Sequence, residues 1–351
     1  MTLCREEHAW LGRHLTRKLA GVRFPLSGTF ELTHRCNFGC AHCYLGGRRA
    51  GGPELPTGAV RALLAQLAEA GCLSLALTGG EPLLREDFAE VWTAAHRLGF
   101  MLSLFTNGSL LDAGTVALLA DHPPRVVEVS LYGADPESQA AVSGDGGAFR
   151  EVLAGIDRLL ARGVQVVLKA VLLAPLAGKL DALRALGRAR GLEVRLDPGV
   201  NRTLDRDDGP TRLRIAAAEA ADAELADPGR CAKVRAYDQA WQAQPVAARI
   251  APCAAGFHAF NLGPAGQLMA CMLHRVPAFD AAGLGFAAAW RGLGALGRLA
   301  FAPSSICATC SLGHLCGYCP AVEALGEEPE YHCEVARQRK RVLESDPAGG
   351  K

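Results

Sequence analysis

Between residues 28 and 200, short apolar runs alternate six times with helix-like stretches, and this alternation confines the chain to an α/β architecture with a parallel sheet. The strand candidates are residues 28–33, 73–78, 101–106, 126–131, 166–172 and 192–197, each short and β-rich, as strands buried on both faces should be. Stretches with helical periodicity lie between them at 57–71, 85–99, 112–121, 149–163 and 179–191. Four of these five end in glycine, a frequent helix stop. Right-handed crossovers joining six such strands produce a sheet that curls into a partial (β/α)6 TIM-like barrel, with its chemistry at the C-terminal strand ends.

At 351 residues the chain suits one large domain and a smaller one. Its sequence divides into an N-terminal extension at 1–27, the barrel at 28–200, a bridging helical segment at 201–252, a cysteine-rich segment at 253–333, and a closing helix and tail at 334–351. Little helical periodicity is visible from Cys253 to about residue 334. The formal net charge of +1 offers no long-range attraction for nucleic acid or an anionic membrane. Charges interrupt the first 21 residues, so no signal peptide is read there, and no run approaches the roughly 18 apolar residues a membrane helix needs. The expectation is a soluble, cytoplasmic chain.

Thirteen cysteines without an export signal argue for metal ligation rather than a disulfide scaffold. Three lie within 36–43 and seven within 253–333, leaving Cys4, Cys72 and Cys231 isolated. Cys36, Cys40 and Cys43 form C-x3-C-x2-C immediately after the first strand. Three thiolates on one loop suit three irons of a [4Fe–4S] cube and leave the fourth iron open. A structural zinc site, the competing reading, needs a fourth ligand, and His42 between two of the cysteines is a poor one. Farther on come Cys253, Cys271, Cys307-x2-Cys310-x5-Cys316-x2-Cys319 and Cys333. Zinc ribbons separate their C-x2-C pairs by about 15–20 residues, whereas here five residues intervene.

The cysteine loop after the first strand, followed by Tyr44, resembles the signature of the radical S-adenosylmethionine (SAM) superfamily. Thr78-Gly79-Gly80-Glu81-Pro82 after the second strand matches that family's GGEP segment. The resemblance implies that this segment holds the amino group of SAM. It also implies that Thr106, Asn107 and Ser130 line the pocket near the ribose and carboxylate, with Tyr44 beside the adenine. Lys169 is a candidate partner for the SAM carboxylate. Residues 253–333 resemble the SPASM extension, in which seven cysteines bind two auxiliary iron–sulfur clusters, expected as [4Fe–4S]. By that pattern Cys307, Cys310, Cys316 and Cys333 bind the distal cluster, and Cys253, Cys271 and Cys319 the proximal one. The usual spacing between the last two cysteines of the quartet is three residues and here it is two, which alters the geometry of one cluster. Seven thiolates leave the proximal cluster one ligand short, so its fourth position is open, filled by His258, or filled by Cys231.

The resemblance further implies reductive cleavage of SAM to a 5′-deoxyadenosyl radical that abstracts hydrogen from a substrate. It points to oxidative maturation of a ribosomally made peptide or protein, with a reductant such as flavodoxin or ferredoxin. Too few residues precede the first strand for a fused leader-binding domain, so a separate leader-binding protein is expected. Oxidation of a small molecule such as a sugar or alcohol is the alternative; a non-catalytic electron carrier would need neither GGEP nor an open iron. Asp197 and Tyr132 are the candidates for a catalytic acid or base, although Asp197 precedes Pro198 and also suits a turn.

Overall fold

The computed structural model describes residues 21–46, 51–243 and 253–345, together with 15, 18 and 19; Cys4 and much of the N-terminal extension lie outside the described residues. Six parallel strands form in the expected places: β1 (Ser27–Thr33), β2 (Ser74–Gly79), β3 (Met101–Thr106), β4 (Val126–Ser130), β5 (Val166–Val171) and β6 (Val194–Asp197). They pair in sequence order, and β6 does not return to β1, so the barrel is open. The crossover helices are α1 (Thr57–Glu69), α2 (Phe88–Arg97), α3 (Ala113–Asp121), α4 (Pro136–Ser143), α5 (Ala148–Ala161) and α6 (Leu180–Arg188). Helix α1 buries Val60, Leu63, Leu64 and Leu67, the i, i+3, i+4, i+7 stripe of a core-facing helix. Each such side chain contributes about 1.5–3 kcal/mol through burial. Gly71, Gly99, Gly163 and Gly191 all take positive φ just past helix ends, which is why those glycine stops were readable.

Two features depart from the expectation. Helix α4 was not anticipated, because it is short and buries polar Ser138, Gln139 and Ser143 rather than an apolar stripe. The cysteine-rich segment also extends the barrel's own sheet. Strand β7 (Ala259–Leu262) pairs in parallel with β1 on the side opposite β2, and β8 (Gln267–Met269) and β9 (Phe279–Asp280) continue antiparallel, giving nine strands. This segment is more helical than its sequence suggests: α9 (Ala281–Leu284), α10 (Phe286–Gly294) and α11 (Pro320–Ala324) all lie in it. Its glycines disguised the periodicity of α10, whose Phe286, Ala289, Trp290 and Leu293 are buried.

The bridge contains α7 (Ala217–Leu225) and α8 (Pro228–Gln242). The last helix, α12 (Glu330–Ser345), starts four residues earlier than expected and packs on α7. Glu224 of α7 is buried and accepts from Arg339 of α12 at 2.5 and 2.8 Å. No helix among the described residues is long and apolar enough to cross a membrane.

The junction of β1 with β7 is tight. Gly28 stands opposite Phe260, and a Cβ at Gly28 would lie 2.3 Å from the Phe260 ring. Gly28→Ala should therefore lower stability by about 1–3 kcal/mol, the range for overpacking a filled core. Urea unfolding checks this, and an unchanged midpoint would show that β7 does not close on β1.

Candidate functional site

The cysteine loop leaves the C-terminal end of β1 and is held by backbone on both sides. Gly39 N–H donates to Ser143 O at 2.8 Å and Ala41 N–H to Val142 O at 2.9 Å, both at the end of α4. On the other side, Gly80 N–H donates to Thr33 O and Glu81 N–H to Arg35 O, each at 2.8 Å. A Cβ on Gly79 would lie 2.0 Å from Thr33 O, and one on Gly80 2.3 Å from Arg35 O. Any side chain here would push the β2 turn off the cysteine loop. Arg85, 7% exposed, fastens the same corner through Asp87, Glu54 and the carbonyls of Leu32 and Leu55.

Glu81 is fully buried, and its carboxylate turns across the strand ends. It accepts from Thr106 Oγ1 at 2.9 and 3.0 Å, from Asn107 N–H at 2.7 Å and from Leu83 N–H at 3.1 Å. Burial pushes it up to about 7 against the pull of those hydrogen bonds, because no cation faces it. Thr106 thus fixes Glu81, while Asn107 continues to the cysteine loop: its Nδ2 donates to Asn37 Oδ1 at 2.8 Å and lies 3.9 Å from Cys36 Sγ. Thr78 is buried on β2, and Pro82 opens the short turn that follows Glu81.

Tyr132, Ser130, Lys169 and Asp197 gather at the ends of β4, β5 and β6. Tyr132 Oη stands 4.0 Å from Cys40 Sγ, and its ring meets His42 edge to face at 5.0 Å. Burial and the neighbouring thiols hold the Tyr132 phenol well above its usual range. It therefore stays protonated, and no phenolate is present to act as a base. Lys169 pairs with Asp197 at 3.6 Å, and Asp197 also accepts from Gly199 N–H at 2.9 Å, the turn role its sequence context suggested. His42, which sequence reasoning weighed only as a fourth ligand, is half-buried. Desolvation pushes its imidazole down to about 4, with Lys169 adding to the effect and Asp197 opposing it.

Several buried polar atoms around this mouth have no hydrogen-bond partner: His42 Nδ1, Gln139 Nε2 and Asn201 Oδ1. Unpaired groups of this kind carry a desolvation cost that a polar ligand removes. None of Cys36, Cys40 and Cys43 is joined in a disulfide. Cys36 is raised by burial, with the Glu81 and Cys43 charges adding to it. Thiols whose charges raise one another are the donor set that an iron–sulfur core neutralises.

The later cysteines fall into two groups. Cys271 is raised by burial and by the Cys319 and Cys253 charges, while Cys316 is pushed up to about 11 by burial and by Cys333, Cys307 and Cys310. The structure thus gathers Cys253, Cys271 and Cys319 in one place and Cys307, Cys310, Cys316 and Cys333 in another. No three His, Cys, Asp or Glu side chains among the described residues close around a single-ion position. Zinc would need its sulfurs about 2.3 Å from one centre; a cube seats each thiolate on a separate iron.

Cys231 is buried on α8 among Leu225, Leu315, Ala336 and Leu343, with Cys316 packed against that cluster. It therefore sits on the side of the four-cysteine group. His258 precedes β7 in the tight turn that follows Cys253, and its Nδ1 is buried without a partner. Cys72 is buried behind β2 and pushed up to about 12.

Tyr44 follows Cys43 and reaches back to Glu31 on β1. Its phenol donates to Glu31 Oε1 at 2.8 Å, and Arg275 lies 6.0 Å over its ring. Glu31 and Arg275 went unnoticed in the sequence; the one signal was a carboxylate inside an apolar strand.

Residues 30–176 match the family model described as the Radical SAM superfamily. The PqqA peptide cyclase of Rhizobium meliloti is 31% identical over 182 residues, covering 51% of this chain and 48% of the relative. The mycofactocin maturase MftC of Mycobacterium ulcerans is 29% identical over 251 residues, covering 71% and 63%. The chain thus spans less than two thirds of the length of both curated relatives. Streptococcus suis SuiB bound to its precursor peptide SuiA superimposes with a TM-score of 0.69 at 17% identity, over 95% of this chain and 80% of that one. The structure named anSMEcpe, with AdoMet and a peptide bound, gives 0.64 at 16% identity, over 92% and 98%. At these identities the likeness establishes the fold.

Glu81 gives a pH test of the site. The folded chain holds its proton to a higher pH than the unfolded chain does, so the native state binds more protons between pH about 4.5 and about 7. Stability must then fall as pH rises through that window. Denaturation of the SAM-free chain as a function of pH should show that slope, and Glu81→Gln should lack it. Parallel pH profiles for the two proteins would contradict a buried, protonatable Glu81.

Proposed function

We infer that this chain, which carries a radical SAM domain over residues 30–176, is a peptide maturase that cleaves SAM at the C-terminal mouth of its open barrel. The observation that carries this reading is the convergence, at one strand end, of three cysteines outside any disulfide, the Gly79-Gly80-Glu81 turn, and buried polar atoms without partners. When bound, a [4Fe–4S] cluster on Cys36, Cys40 and Cys43, with SAM on its open iron, supplies one-electron cleavage to methionine and a 5′-deoxyadenosyl radical, which takes a hydrogen atom from substrate.

The chain's own residues bind, orient and shield. Gly79 and Gly80 bring backbone carbonyls of the β2 turn beside the cysteine loop, where a SAM ammonium group finds acceptors. Glu81 works mainly by holding the β2 and β3 ends in register, since its oxygens are engaged by Thr106, Asn107 and Leu83. Asn107 ties that unit to Asn37 and Cys36. Ser130 and Lys169 offer a hydroxyl and an ammonium to the SAM carboxylate, Lys169 by exchanging its Asp197 partner. His42 and Tyr132 form a dry wall that keeps water from the reacting atoms. Tyr132, with its raised phenol, and Asp197, engaged by Lys169 and Gly199, serve as wall and turn rather than as a base.

Cys253, Cys271 and Cys319 would hold a proximal auxiliary cluster, and Cys307, Cys310, Cys316 and Cys333 a distal one. Its unpaired Nδ1 beside the Cys253 turn makes His258 the candidate fourth proximal ligand over Cys231. A peptide substrate is supported by the names of the relatives, one a peptide cyclase and one a maturase. A separate leader-binding protein and a flavodoxin- or ferredoxin-type reductant complete the proposed system.

Anaerobic reconstitution with iron and sulfide tests the reading. The chain should take up about twelve irons and, with SAM and reductant, form 5′-deoxyadenosine. Replacing Cys36, Cys40 and Cys43 together by Ala should remove about four irons and all 5′-deoxyadenosine. Replacing the four distal cysteines should remove a similar amount of iron while leaving SAM cleavage. Peptides encoded beside the gene should lose two mass units or change connectivity. An intact, iron-loaded chain that never forms 5′-deoxyadenosine would revive the electron-carrier alternative.

A further inference from the structure

One buried carboxylate lies between two of the cysteine groups. Glu31, in the middle of β1, is fully inaccessible to solvent. Its Oε1 accepts from Tyr44 Oη at 2.8 Å and from Arg275 Nη2 at 2.6 Å. Its Oε2 faces His34 Nε2 at 3.3 Å and Asn261 Nδ2 at 3.4 Å. Tyr44 directly follows Cys43. Arg275 lies four residues after Cys271, and its Nε donates to Met272 O at 2.8 Å. Cys271 Sγ in turn accepts from His274 N–H at 3.2 Å. The route from Cys43 to Cys271 therefore contains only Tyr44, Glu31, Arg275 and Met272, and a 3.9 Å contact between Tyr44 Oη and Met272 Sδ closes it sideways.

We propose that Glu31 and Arg275 are positioning residues that latch the Cys43 turn to the Cys271 loop and so fix the separation and orientation of the two iron–sulfur centres. The proposal rests on the reading that both cysteine groups hold clusters. Three physical points support it. A carboxylate with no solvent access is retained only with charge and hydrogen-bond partners, and here the charge comes from the auxiliary-cluster segment while the shortest neutral donor comes from the SAM-cluster loop. Both loops share a single oxygen, so neither can shift without stretching a bond to the other. Arg275 uses two separate nitrogens, one for Glu31 and one for Met272 O, a geometry that a lysine cannot reproduce.

The test uses the full chain after anaerobic reconstitution, comparing wild type with E31Q, R275M, R275K and the double variant E31Q/R275M. The readouts are iron content and the EPR line shapes and relaxation of the reduced clusters. R275M and E31Q should keep about twelve irons. They should change the line shape of the Cys253/Cys271/Cys319 centre and alter its relaxation of the Cys36/Cys40/Cys43 centre by about twofold or more, and the double variant should go no further than the stronger single, as members of one network must. R275K, which keeps the charge but loses one bond, should fall between. R190M, which breaks the exposed Arg190–Asp157 pair, should leave both signals as in wild type. If R275M loses iron outright, R275K and E31D keep both charges and carry the comparison. Unmoved signals in iron-loaded variants, or effects that simply add, would overturn the latch alone. A wild-type chain that takes up no iron would overturn the cluster reading, and the latch with it.

Discussion

The site depends on backbone meeting backbone at the end of β1. Gly79 and Gly80 press against the carbonyls of residues 33–35 so closely that a Cβ on either would collide. This contact aligns the β2 turn with the cysteine loop, and Glu81 then carries the alignment one strand farther to Thr106 and Asn107. The loop's opposite side is fixed by α4. The loop that carries the three thiols is thereby held on a rigid frame, the arrangement a functional site needs.

Two buried carboxylates, Glu31 on β1 and Glu81 just past β2, show how partners decide ionisation. Burial raises both. Glu31 is held down near 2 by hydrogen bonds from His34 and Arg275, by the Arg275 charge, and by Tyr44, whereas Glu81 has only neutral donors and rises to about 7. The first is an ion that ties β1 to the cysteine-rich segment. The second is close to neutral and works by hydrogen bonding within the barrel. Because β7 pairs directly with β1, the cysteine-rich segment and the barrel share one sheet, and a buried ion pair at that seam is shielded from solvent and salt.

Much of this was legible in the sequence. Strand and helix period located the six β/α units, and glycine stops marked helix ends within two or three residues. The division of the later cysteines into sets of three and four came from family spacing, and the cysteine charges that raise Cys271 and Cys316 come from within those sets. What escaped were interactions between distant segments. Gly79 and Gly80 read as room for a ligand, yet their tightest contacts are with the chain's own backbone. Tyr44 read as an adenine neighbour, and its hydrogen bond to Glu31 carried no local signal. Arg275 carried no local pattern at all, since its partner is 244 residues away. Helix α10 was hidden by Gly285, Gly292 and Gly294 at its ends, which break the apolar period.

The central claim is that Cys36, Cys40 and Cys43 present an open iron to SAM. The most direct measurement is the EPR spectrum of the reduced, reconstituted chain with and without SAM. To isolate the first cluster, it is recorded on a variant in which the seven later cysteines are replaced. The account predicts a single cluster signal whose g-values shift when SAM is added, because SAM takes the fourth iron. A cluster signal indifferent to SAM, or one that persists after Cys36, Cys40 and Cys43 are replaced, would contradict it.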